Sequence, residues 1–230
     1  MGIEIAIDGP SGSGKSTIAK ALAKHLGFVH IDTGAMYRAV ALAAVKSGLN
    51  LSDEAAVLEI IETIDIDIKH TYGSQHVFLG KEDVTAEIRT AEMGLAASKV
   101  SAYAGVREKL VNLQRKLAAA ADVVMDGRDI GTVVLANADV KIFLVADVEV
   151  RTERRCKELE SLGHNCNHEE IAAQIIKRDI DDSSRDIAPL KPAEDAVRLD
   201  VSRLDVCGAV AAIIKIAEER GVSICIPLQE

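Results

Sequence analysis

Near the amino terminus, Gly9, Pro10, Ser11, Gly12, Ser13, Gly14, Lys15, Ser16 and Thr17 bring together glycines, one lysine and adjacent hydroxyls in the G-x-x-x-x-G-K-[ST] spacing. Such a stretch can hold a polyphosphate. The glycines let the main chain curl with its N–H groups turned inward, a lysine in this place reaches the β- and γ-phosphates, and Ser16 offers a hydroxyl to Mg²⁺. The alternative is a glycine turn that only joins a strand to a helix. The flanks favour the phosphate loop. An apolar run over residues 3–8 reads as a buried strand, and Ile18, Ala19, Leu22, Ala23 and Leu26 follow at the three-and-four spacing of a helix. A helix amino end then adds partial positive charge beside the phosphates.

Three further charged groups have the composition of a phosphoryl-transfer site. Tyr37 and Arg38 follow a second apolar run, where a guanidinium can clamp a phosphate bidentately, although a solvated surface arginine has the same sequence signature. Asp126, Gly127, Arg128 and Asp129 end a third run. Asp126 is a candidate to orient Mg²⁺-bound water and Arg128 to clamp phosphate, with a turn capped by Asp129 as the structural alternative. The third group is Arg178, Asp182 and Arg185, spaced by four and three so that a helix would carry them on one face. By itself that could be an exposed, salt-bridged face. Arg151, Arg154 and Arg155 make a comparable basic face upstream, and a closing arginine-bearing segment would exclude water and surround the moving phosphoryl group with positive charge.

Placing these groups requires a parallel α/β sheet with its loops at the carboxyl ends of the strands. Strands are expected at residues 3–8, 28–31, 122–126, 140–145 and 196–199, with helices from Asp32, from Asp53 to Ile61 under a Ser52 cap, from about 92 to 120, and from Val206 to Arg220. Residues 64–69 alternate apolar and polar, Tyr72, Gly73 and Ser74 supply turn types, and residues 76–79 return. That pattern reads as an inserted antiparallel hairpin with one wet face. The 230 residues can bury a sizeable core, and a net charge of −9 argues against a protein that coats nucleic acid. A phosphate substrate must then be held by local arginines. No apolar stretch is long enough to span a membrane, and no basic-then-apolar leader opens the chain, so a cytoplasmic protein is expected. Four cysteines fit a reducing compartment. Cys156, His164, Cys166 and His168 could suggest zinc, but they lack the paired C-x-x-C knuckle and read as exposed loop residues.

In that order, residues 8–17, 32–38, 126–134 and 178–190 closely resemble the bacterial cytidylate kinases, and the resemblance spans essentially the whole chain. It implies a three-layer P-loop NTPase fold with a central five-stranded parallel sheet. It also implies a core of about residues 1–33, 103–150 and 187–230, a monophosphate-binding part with its hairpin insert at about 34–102, and a short lid at about 151–186. The reaction implied is ATP plus CMP or dCMP giving ADP plus CDP or dCDP with Mg²⁺, in a monomer that binds neither nucleic acid nor membrane. By similarity, residues 9–17 hold ATP, with Lys15, Arg128 and Arg185 catalytic. Arg38 and Arg128 grip the acceptor phosphate. Thr33, Arg107, Asp129 and Arg185 face cytosine, with Tyr37 beside them. Ser98, Arg178 and Asp182 meet the sugar. Ser16 binds Mg²⁺, with Asp126 acting through water. Thr33 stands where serine is frequent in the family and Ser16 where glycine is, and both keep or add a hydroxyl. The competing readings are a kinase for UMP, AMP or shikimate, a regulatory GTPase, which would need an Asn-Lys-x-Asp segment absent here, and a binding module without turnover.

Overall fold

The computed structural model describes residues 2–71, 74–161, 163 and 165–222. In chain order the elements are β1 (Glu4–Asp8), α1 (Lys15–Leu26), β2 (Val29–Asp32), α2 (Thr33–Lys46), α3 (Glu54–Thr63), β3 (Ile66–Thr71), β4 (Ser74–Leu79), β5 (Glu82–Asp83), α4 (Ala91–Val100), α5 (Ala104–Ala118), β6 (Val123–Gly127), β7 (Val140–Val145), α6 (Val148–Ser161), α7 (His168–Ser183), β8 (Val197–Asp200) and α8 (Val206–Glu219). A five-stranded sheet runs in the order β2-β6-β1-β7-β8, and every pair is parallel. Its central strands are buried on both sides, as their continuous apolar runs require. On one face Ile5, Ile7, Val124 and Ile142 pack with Ile18 and Leu22 of α1 and Ala209 and Ile213 of α8. On the other, Ala6, Ile31, Val123 and Met125 meet Val111 and Ala118 of α5 and Ile130 and Val134 of a single π-helical turn, Ile130–Val134. Helix, sheet and helix form three layers around the expected five strands.

A separate apolar cluster gathers α2, α3 and α4 with Ile68 of β3 and Val77 of β4. The inserted hairpin gains a third strand there, because the short β5 pairs antiparallel with β4 through Phe78–Asp83 and Leu79–Glu82. Two residues carry too little periodicity to be seen in sequence. Tyr72 and Gly73, expected at the hairpin turn, lie outside the described residues, as do His164 and Cys225.

Several local expectations need correction. The cap of α3 is Asp53, which accepts from the Ala56 N–H at 3.1 Å, and not Ser52. The helix expected across 92–120 is two helices. Tyr103 is extended (φ −82°, ψ 125°) and its hydroxyl donates to the Leu51 carbonyl at 2.7 Å, so a tertiary contact holds the break, two residues before Gly105. Cys156 is no loop residue: it is buried in α6 and joined to Cys166 by a disulfide. Two of the four cysteines are therefore oxidised, against the reduced state expected. His168 instead ion-pairs with Glu149 at 3.3 Å, and no metal-holding cluster of three or more His, Cys, Asp or Glu occurs among the described residues. Within the described residues no helix is long and apolar enough to cross a membrane.

Candidate active site

The parallel register sets the carboxyl ends of three neighbouring strands side by side, with Asp8 opposite Gly127 and Asp32 opposite Asp126. From those ends leave the glycine loop, α2 and the turn bearing Arg128 and Asp129. The three segments expected to converge do so.

The loop between β1 and α1 is tightly wound. Gly12 and Gly14 sit at φ 74° and 86°, in the left-handed region that side chains resist, so both glycines are needed for the curl. Lys15 is buried and its Nζ donates to the Pro10 carbonyl at 3.2 Å, which lays the ammonium across the loop. Burial, reinforced by the nearby Arg128, pulls its pKa down to about 7. Helix α6 holds the loop from outside. Arg151 Nη1 donates to the Ser11 carbonyl at 3.0 Å and also pairs with Asp179 of α7 at 2.7 Å, while Arg154 donates to the carbonyls of Ser13 (3.2 Å) and Val201 (2.7 Å). Arg155 does not join them. It turns outward to Glu158 at 2.6 Å, since it lies on the solvent side of α6.

Ser16 donates to Asp126 Oδ2 at 2.6 Å, and His30 Nε2 meets Asp126 Oδ1 at 2.8 Å. Burial opposes the charge on Asp126, but His30, Lys15 and Ser16 together hold its carboxyl below the usual carboxylate range. A hydroxyl and an ionised, buried carboxylate beside a phosphate loop are the hard oxygen donors Mg²⁺ takes, directly or through water. The residues therefore fit the metal. His30 was not foreseen, since a histidine inside an apolar strand run carries no pattern of its own.

Around the end of α7 lies a lattice of guanidinium and carboxylate groups. Asp182 of α7 accepts from Arg128 Nε at 2.7 Å, from Arg185 Nη2, and from Ser98 of α4 at 3.4 Å. Arg185 also donates to Ser98 at 3.1 Å, and Arg178 donates to Ser11 of the glycine loop at 3.3 Å. Burial works against the Asp182 charge, yet Arg128 and Arg185 keep its pKa low. Arg178 is pulled down to about 10 by burial and by the company of Arg128, with Arg38 and Arg185 also within electrostatic reach. Arg185 lies past the end of α7 at Ser183, so the face expected to hold all three charges is completed by the turn after the helix. Arg38 on α2 stays partly exposed, 3.9 Å from Asp32.

Deeper in, Arg107 of α5 and Asp129 form a buried ion pair, and the Arg107 guanidinium lies 5.8 Å from the centre of the Tyr37 ring. Burial raises the Asp129 pKa against the pull of Arg107 and Arg185, and raises the Tyr37 phenol to about 12. Thr33, the first residue of α2, donates to the Asp126 carbonyl at 2.8 Å and presses on Gly127, where an added Cβ would sit 2.6 Å from its hydroxyl. Asp8 was also missed. Fully buried, it accepts from the main-chain N–H groups of Ile130 and Gly131, both at 2.8 Å, and so ties the base of the glycine loop to the turn carrying Asp129. Burial lifts its pKa to about 7 despite those two bonds.

The model of the cytidylate kinase family matches residues 5–219. The chain belongs to the cytidylate kinase family. A cytidylate kinase of Caldicellulosiruptor bescii is 50% identical over 204 residues, covering 89% of this chain and 90% of the relative. Another, from Thermotoga neapolitana, is 48% identical over 220 residues, covering 96% and 99%. The crystal structure of an uncharacterized protein from Eubacterium ventriosum superposes with a TM-score of 0.51 at 15% identity, over 95% of this chain and 99% of that one, which speaks to shared fold alone.

Proposed function

We propose that the protein is a nucleoside monophosphate kinase that transfers the γ-phosphoryl of ATP to CMP or dCMP, giving CDP or dCDP. One observation carries the reading: Lys15 of the phosphate loop stands within electrostatic reach of Arg128 and Arg178, and Arg178 in turn of Arg38 and Arg185, so two polyanions can be neutralised in one cleft. The main chain of residues 9–17 receives the ATP phosphates, Lys15 reaches their terminal end, and Arg38 and Arg128 take the acceptor phosphate. Arg185 and Arg178 bring further charge from the lid side. Ser16, with Asp126 through water, would hold Mg²⁺, which supplies charge neutralisation on the phosphates when bound. Positioning and electrostatic stabilisation dominate phosphoryl transfer, so no strong general base is needed.

Base choice follows from the buried pair. A carboxylate held by Arg107 accepts from the cytosine amine, while arginine donates to its ring acceptors. Uracil would set a carbonyl against Asp129 and leave polar groups unpaired, at a cost of about 1–3 kcal/mol for each neutral partner lost. Thr33, Tyr37 and Arg185 border the base; Ser98, Arg178 and Asp182 border the sugar. Ser98 and Asp182 already bond each other and Arg178 bonds Ser11 of the glycine loop, so the sugar hydroxyls exchange into existing hydrogen bonds. The enzyme is taken to act as a cytoplasmic monomer. A coupled ADP-release assay over CMP, dCMP, UMP, AMP and shikimate tests the proposal. Turnover with the cytidine nucleotides well above the rest is expected, and no CDP from ATP, Mg²⁺ and CMP would refute it.

A further inference from the structure

Where the inserted three-stranded sheet meets β2 of the core, the contact has an unusual form. β2 is the edge strand of the main sheet: one side pairs with β6, and the other is open. An open edge normally exposes unpaired main-chain groups. No strand is laid against it here. Gln75 of β4 accepts from the Asp32 N–H at 2.8 Å with its Oε1 and donates to the Asp32 carbonyl at 3.1 Å with its Nε2. Its partner across the β3–β4 ladder, His70, bonds the His30 carbonyl through Nε2 at 2.7 Å. Two side chains of the insert thus imitate a neighbouring strand. Gln75 is buried, so its amide has no water to fall back on.

Asp32 is where this brace acts. Its carboxylate caps α2 by accepting from the Ala35 N–H at 3.1 Å and faces Arg38, and the next residue, Thr33, bonds the carbonyl of Asp126. We infer that Gln75, assisted by His70, is a positioning residue for the acceptor pocket: the insert fixes the Asp32 peptide, and through it the start of α2 that aims Arg38 and Thr33 at the monophosphate. The inference rests on the proposed acceptor chemistry. The donor loop has a brace of its own, Arg151 and Arg154 of α6, which does not pass through Gln75 or Asp32.

The test compares Gln75→Leu with Asp83→Ala, which removes the insert's own bonds to His76 and Thr85 without touching β2. Gln75→Leu should raise KM for CMP about ten-fold, the scale of one to two neutral hydrogen bonds, and leave KM for ATP within about two-fold. Exchange of the Asp32 amide in the ligand-free protein should speed up by at least about ten-fold while the amides of β6 stay protected. Asp83→Ala should leave KM for CMP within about two-fold of the parent, because it loosens the insert and not the brace. Should Gln75→Leu not fold, His70→Ala removes the exposed half of the brace, and about a three-fold rise is expected. The inference falls if KM for CMP is unmoved, if both KM values rise together, or if Asp83→Ala matches Gln75→Leu. A parent protein that makes no CDP would instead overturn the acceptor reading, and the exchange rates would still decide whether Gln75 braces β2.

Discussion

Lys15 should make the binding of ATP a proton-linked event. In the ligand-free site, burial and Arg128 lower its pKa from 10.5 to about 7, so the ammonium is half neutral at pH 7 and about 1% charged at pH 9. A bound triphosphate sets anionic oxygens beside Nζ and restores the charge. The sign follows from linkage: the complex holds a proton that the free protein has released, so affinity falls as pH rises through and above 7. Between pH 7.5 and 9.5 the loss should approach ten-fold per unit, about 100-fold or 2.7 kcal/mol in all, in a range where the second phosphate ionisation, near 6, is complete. Calorimetry with a non-hydrolysable ATP analogue, in two buffers of different ionisation enthalpy, should register about one proton taken up at pH 8.5. Lys15→Met should abolish most of that uptake; whatever remains belongs to neighbours such as Asp8. A Kd that is flat over this range, or uptake untouched by Lys15→Met, would refute the desolvated lysine.

Asp129→Asn should lower kcat/KM for CMP by about ten- to a hundred-fold and narrow the preference over UMP, because an amide can donate where the carboxylate only accepts; an unchanged CMP-to-UMP ratio in steady-state kinetics would contradict its role. Stability of the ligand-free protein should pass through a minimum near pH 7 in urea titrations at pH 5, 7 and 9. The folded protein keeps a proton on Asp8 between its ordinary 3.8 and about 7, so stability falls across that window, and Lys15 releases one early between about 7 and 10.5, so stability recovers there. A monotonic curve would count against both burial effects. Cys156→Ser, or reduction of the Cys156–Cys166 bond, should lower unfolding free energy by about 2–3 kcal/mol, as expected for a bridge closing a short loop; intact mass before and after alkylation shows whether the bridge is present, and equal stability of the two forms would rule out the staple.

The main sheet was legible because its three central strands are buried runs punctuated by glycine and aspartate, and β7 appears at the expected residues, Val140–Val145. The phosphate loop and the Asp126–Asp129 turn were legible because main-chain curvature demands particular residues in order. What stayed hidden depends on distant partners. Tyr103 interrupts a helix by reaching Leu51, 52 positions away, and the neighbouring Gly105 does not name that partner. Gln75, His30 and Asp8 act on groups 43, 96 and 122 positions away, with residue types that are unremarkable in a strand. Arg155 shares a basic run with Arg151 and Arg154, but it pairs with Glu158 on its own helix and not with the glycine loop. Charge in a sequence marks where a site is possible, and only packing selects which charges enter it.

Arg151 and Arg154 grasp carbonyl oxygens on the outside of the glycine loop. Each peptide has two ends, and anchoring the Ser11 and Ser13 oxygens also fixes the N–H groups of Gly12 and Gly14 in the same peptides. The receptacle for the nucleotide tail is therefore shaped by its surroundings before any visitor enters, so little ordering entropy is left to be spent at the moment of capture. Encounter with the donor should be governed by diffusion and charge, leaving the slower rearrangements to the partner that arrives on the opposite side of the cleft.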